Sequence, residues 1–170
     1  TQVDLCTIAP QPNILTKATQ TLTSTGTSPA NNDTVTITVP FFAHVANQAF
    51  VYTFKTTLTG TGGAAGEVLI GGSAANALAN LKAAINLDPV GLGVKYGLGT
   101  TDPYVLFEAT TLTATTLVVQ ARQSGATQNG ILTTEASAQL SWGAGSFAGG
   151  GGFDGDDGTA GDIDGGYHGI

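Results

Sequence analysis

Threonine and aliphatic residues alternate strictly from position 34 to position 39. In DTVTITV, Val35, Ile37 and Val39 interleave with Thr34, Thr36 and Thr38. A repeat of two puts the aliphatics on one face of an extended chain and the hydroxyls on the other, the pattern of a half-buried β-strand and not of a helix. The device recurs in QAFVYTFKTTL, where Phe50, Tyr52 and Phe54 share one face and Val51, Thr53 and Lys55 the other. Only 10% of the residues are charged, against roughly 25% in an average soluble domain, so uncharged groups must supply the polar surface. The 27 threonines supply most of it. Threonine is β-branched and suits a pleated, half-exposed surface, and with 25 glycines the chain favours strands and turns.

The rest of the body reads in the same terms. PFFAHVAN, between the first two strands, carries Phe41, Phe42 and His44 and reads as a long apolar hairpin connection or a projecting lobe. GTGGAAG (60–66) reads as a hairpin turn before a short strand at Val68–Ile70. It is not a phosphate loop, because it lacks the Lys-Ser/Thr pair and leads into a strand before any helix begins. Ser73 is a suitable N-cap for one helix, with Leu78, Leu81 and Ile85 on a single apolar stripe and Asp88-Pro89 as its stop. Three more strands are expected, at Tyr104–Ala109, Thr116–Arg122 and Ile131–Thr134, with turns at Ser124-Gly125 and Asn129-Gly130. Trp142 and Phe147 are expected to pack at the end of the body. The fold class expected is therefore mainly β (α+β): an antiparallel sheet or sandwich with one packed helix.

Two flanks differ from this body. Residues 1–32 read as an extended N-terminal arm, since Pro10 and Pro12 remove donors and favour extended backbone. Val3, Leu5, Ile8, Ile14 and Leu15 make it too apolar for a solvated linker. It either lies across its own domain or docks on a neighbouring subunit. The domain spans 33–149. Residues 150–170 form a Gly/Asp-rich extension holding five aspartates and no Lys or Arg, so −5 of the net charge of −7 sits there. That composition cannot bury a core, but Phe153, Ile163, Tyr167 and Ile170 are spaced apolar anchors for a partner. The chain starts at Thr1, which fits either trimming of an initiator Met or removal of a leader.

Several chemistries lack support. Lys17, Lys55, Lys82, Lys95 and Arg122 are scattered, so no basic footprint for nucleic acid exists. No apolar run approaches the ~18 residues of a membrane helix. Cys6 is the single cysteine, so no intrachain disulfide can form. Glu67, Glu108 and Glu135 are isolated carboxylates for which a polar surface role is expected. His44 and His168 have no flanking motif that would place them in a nucleophilic triad. Asp154, Asp156 and Asp157 are the residues a calcium ion would use, but the EF-hand pattern needs an acidic or amide residue where Gly158 stands and a later Glu. No cofactor is assigned, and a non-enzymatic role is expected.

Taken in order, Asp33-Thr-Val-Thr-Ile, Tyr52-Thr-Phe, GEVLIGGSAANALANLKAAIN (66–86) and VVQARQSGATQNGILTTEAS (118–137) resemble a module of tailed-bacteriophage structural proteins. Trp142-Gly143 and Gly149-Gly150 resemble its closing residues. The resemblance covers 33–150. Gln128-Asn129-Gly130 departs from the family's usual order, and PFFAHVAN stands where the family has a tight Gly-Gly hairpin. The resemblance implies a virion protein associated with head decoration, tail or fibre, with no catalytic residues. The expected partners are copies of the chain itself, as a homo-oligomer, and other virion proteins. Contact is expected through Phe41, Phe42, His44, Phe153, Ile163, Tyr167 and Ile170. Two rival readings share this composition. One is a bacterial cell-surface or filament-forming protein. The other is a receptor- or glycan-binding module stacking sugars on Phe41, Phe42, Tyr96, Tyr104 or Trp142.

Overall fold

A computed structural model describes residues 15–40, 46–103 and 105–152. Eight strands and one helix follow in the order β1 (Lys17–Ser24), β2 (Thr34–Val39), β3 (Gln48–Lys55), β4 (Glu67–Leu69), α1 (Ala74–Ile85), β5 (Phe107–Leu112), β6 (Thr116–Ser124), β7 (Leu132–Ala136) and β8 (Leu140–Trp142). They form two four-stranded sheets, ordered β5-β6-β1-β8 and β4-β3-β2-β7. The mainly-β class with a single packed helix is what the alternation predicts. The inward residues of both sheets share one core, and Phe50 of one sheet meets Phe107 of the other edge-to-face at 5.0 Å. Burying an aliphatic or aromatic side chain of this size contributes about 1.5–3 kcal/mol.

The second sheet follows the alternation closely. Val35, Ile37 and Val39 are buried, as are Phe50, Tyr52 and Phe54 on the antiparallel partner, in register Ile37↔Phe50. The strand expected at Tyr104–Ala109 is displaced to Phe107–Leu112, and that expected at Ile131–Thr134 runs over Leu132–Ala136. Asn129-Gly130 belongs to a 3-10 turn over Ala126–Gly130. Trp142 and Phe147 are both buried.

Two expectations are corrected. Residues 17–24, assigned to the arm, are strand β1 and lie between β6 and β8, with Thr19 opposite Gln120 and Leu22 opposite Trp142. Its inward side carries Ala18, Gln20, Leu22 and Ser24, all buried. Gln20 is tolerated there because its Nε2 donates to the carbonyls of Ala144 (2.8 Å) and Ser146 (2.6 Å). GTGGAAG is also not a hairpin turn. β4 runs parallel to β3, with Thr53 opposite Glu67 and Lys55 opposite Leu69, so the glycine-rich segment loops back before the strand begins.

The lateral edges of the sandwich are largely occupied. Segment 143–151 stitches one side: Ala148 pairs with Thr19 and Gly151 with Thr16 of the first sheet, while Thr133 N–H donates to Gly145 and Phe147 N–H to Ile131 of the second. Helix α1 closes the opposite side. Ser73 caps it, its Oγ accepting from Asn76 N–H at 3.2 Å. Asn80 Nδ2 donates to Leu69 O of β4 at 2.8 Å, and Lys82 Nζ donates to Thr110 O of β5. Asn86 donates to Ala109 O and accepts from Ala109 N–H, both at 2.8 Å. Paired or covered edges resist unspecific strand pairing.

Candidate functional site

Glu67 opens β4 and organises the end of the sandwich beside it. Its carboxylate accepts from Thr59 N–H at 2.8 Å, Thr59 Oγ1–H at 2.6 Å and Ala64 N–H at 3.0 Å, with Lys55 Nζ at 3.9 Å. The expected surface role is overturned, since Glu67 is 6% exposed. The Thr59 hydroxyl first, then the Thr59 and Ala64 N–H groups and Lys55, hold its carboxyl below the usual carboxylate value against the opposing effect of burial. Segment 56–66 is thereby wrapped around one charge.

A second loop, 88–100, packs on the first. Leu98 N–H donates to Gly62 O at 3.0 Å, Gly97 N–H to Glu67 O at 2.9 Å and Gly66 N–H to Thr100 Oγ1 at 3.2 Å. The approach is so close that a Cβ on Gly97 would stand 1.7 Å from Ala64 O. Tyr96 anchors this loop from inside, its Oη donating to Asp88 O at 2.9 Å. With Tyr96 facing inward, the aliphatics of the loop face out: Val90 is 78% and Val94 65% exposed, with Leu92 and Leu98 about half exposed. Four exposed aliphatics on one loop form an apolar rim of the kind that marks contact surfaces.

Beside the paired loops lies a cleft of about 220 Å³, lined by Ala49–Tyr52 of β3 and by Ala65, Gly66, Thr100 and Thr101. It exists because β4 is short. β4 begins opposite Thr53, and Gly66 closes against the Val51 carbonyl, so on the edge away from β2, β3 has no strand beside it over Ala49–Val51 among the described residues. Thr53 N–H donates to Gly66 O on this edge. By the alternation of a strand, the N–H groups of Val51 and Ala49 and the Ala49 carbonyl point to the same edge. Tyr52 Oη is buried without a hydrogen-bond partner among the described residues. Burial, with a smaller contribution from Asp102, pushes its phenol well above the ordinary value.

The residues singled out from sequence stand apart from this region. Phe41, Phe42, His44, Phe153, Ile163, Tyr167 and Ile170, like Asp154, Asp156, Asp157 and Tyr104, lie outside the described residues. Tyr96 and Trp142, offered as sugar-stacking platforms, are both buried, and Trp142 Nε1 donates to Thr134 O at 3.1 Å. Among the described residues no group of three or more His, Cys, Asp or Glu side chains could hold a metal ion, and no helix is long and apolar enough to cross a membrane. The rim and the cleft were not singled out. The alternating Val90, Leu92 and Val94 were the available signal, masked by the glycines between them.

No protein-family model, curated protein or solved structure matches the chain.

Proposed function

We propose that this chain is a structural component of a tailed-bacteriophage particle, acting by self-assembly and by contacts with other virion proteins, without catalysis. The phage attribution rests on the order of motifs across 33–150 that resembles such proteins. The observation that carries the assembly reading is the outer face of β2, β3 and β7. Thr34, Thr36 and Thr38 form its central column, flanked by Ala49, Val51 and Thr53 on one side and Leu132, Thr134 and Ala136 on the other. None of the nine is charged, so another surface can cover this face without desolvating an ion, which is the costly part of burying polar surface. The apolar rim at Val90, Leu92, Val94 and Leu98 extends the same property to one end. Occupied lateral edges favour packing through faces, loops and terminal segments over sheet-to-sheet fusion.

Sedimentation of the full chain over a wide concentration range, with negative-stain electron microscopy of the associated species, tests this reading. Regular assemblies of many copies are expected. A monodisperse monomer at the highest concentration overturns it.

A further inference from the structure

We propose that the side chains of Asn32 and Lys55 join in an isopeptide bond within one chain, with Glu67 taking the proton from the attacking amine. The inference concerns a single molecule and does not depend on the assembly reading above. Three neighbouring strands bring the groups together. Continuing the antiparallel register Thr34↔Thr53 by two residues puts Asn32 opposite Lys55. Glu67 lies opposite Thr53 on the other edge of β3, which sets it diagonal to Lys55 on the same face of the sheet. Lys55 Nζ donates to Asn32 Oδ1 at 2.7 Å and stands 3.9 Å from Glu67 Oε1. The amide carbon open to attack is one bond beyond the oxygen that the amine already touches.

Both reactants are held in place. Asn32 has a left-handed backbone, φ 74°, and its N–H donates to Phe54 O at 2.8 Å. Past the lysine, Thr56 N–H donates to Asn31 Oδ1 at 3.1 Å. The turn before β2 is thus pinned to β3 immediately before and after Lys55. Glu67 is fixed by its bonds to Thr59 and Ala64 and is buried. Groups held in contact react as if at concentrations far above any solution value, and one reaction per chain needs no fast rate. With its ammonium proton lost to solvent, the neutral Lys55 amine adds to Asn32 Cγ and a C–N bond forms. The Glu67 carboxylate takes a proton from Nζ and returns it to Nδ2. The Cγ–Nδ2 bond then breaks, and ammonia leaves into solvent, to which Asn32 is exposed. No oxidant or cofactor enters the balance. The product ties the start of β2 to the end of β3 and closes the open end of that hairpin covalently.

Intact-mass spectrometry of the full-length chain, followed over days at mildly alkaline pH, tests this. The mass is expected to fall below that of the sequence by one ammonia. A chymotryptic digest, which cuts between the two residues at Phe50 and Tyr52, is expected to contain a branched peptide holding both Asn32 and Lys55. Lys55→Arg keeps a positive charge beside Glu67 without a primary amine. Asn32→Gly keeps the left-handed backbone without the amide. Both variants are expected to stay at full sequence mass. Parent chain that retains its full mass overturns the proposal. Ammonia loss that persists in either variant also overturns it, by placing the loss elsewhere, as in ring closure at Asn129-Gly130. In Glu67→Gln, checked by circular dichroism for its fold, the bond is expected to form about a hundredfold more slowly or not at all. Formation at the parent's rate in that variant overturns the part given to Glu67.

Discussion

The side-chain amide of Asn86 pairs with Ala109 in both directions, its Nδ2 donating to the carbonyl and its Oδ1 accepting from the N–H, each at 2.8 Å. A residue at the end of α1 thus occupies the place of a neighbouring strand on β5. Asn86→Ala removes both bonds and leaves the Ala109 groups without them. The expected cost is about 1–3 kcal/mol, read as a lower urea midpoint at unchanged slope.

Glu67 makes stability depend on acid. Its folded pKa lies below the unfolded value of 4.5. The group therefore contributes stability that is fully present above the unfolded value and is lost as pH falls through the lower folded one. Melting temperature is expected to drop on acidification through this range. Glu67→Gln removes the charge that Thr59 and Ala64 donate to, at an expected cost of about 2–3 kcal/mol at neutral pH. Its profile should be flatter in acid, and an equally steep acid drop in the variant would show that other carboxylates cause it.

The two glycine loops tolerate no side chain where they touch. Gly97→Ala places a Cβ against the Ala64 carbonyl, so it is expected to destabilise by several kcal/mol, on the order of 3 or more. Gly145→Ala, where a Cβ meets nothing within 4 Å, is expected to stay within about 0.5 kcal/mol of the parent. Thermal unfolding of both variants separates close packing from a general need for glycine.

The rim is predicted to matter for association alone. Val90 and Val94 are largely exposed, so the double substitution Val90→Ser/Val94→Ser should change stability by less than about 0.5 kcal/mol. Sedimentation should show weaker association than the parent. An unchanged association curve would remove the rim from the contact surface.

The parts of the fold legible in the sequence are those whose signals are local. β2 and β3 announce themselves by alternation, and α1 by the Ser73 cap and the stripe of Leu78, Leu81 and Ile85. β1 was illegible because Gln20 and Ser24 sit on its buried face. What makes Gln20 acceptable there is a pair of carbonyls at Ala144 and Ser146, far along the chain. The parallel course of β4 was hidden for the same reason: a glycine-rich stretch before a short strand reads as a hairpin, and the carboxylate of Glu67 gathers it into a loop instead. The cleft on β3 is the difference in length between two strands, a quantity that neither strand's own residues express.

The central place of β1 bears on how the chain comes off the ribosome. Its partners, β6 and β8, come roughly 100 residues later, so at the usual ~5–20 residues per second of synthesis β1 waits about 5–20 s for a sheet to join. Throughout that interval a threonine-rich strand is available to other nascent chains before its own sheet exists. The first sheet can close only after the final third of the body has emerged, so β1 is the strand that waits longest for its partners.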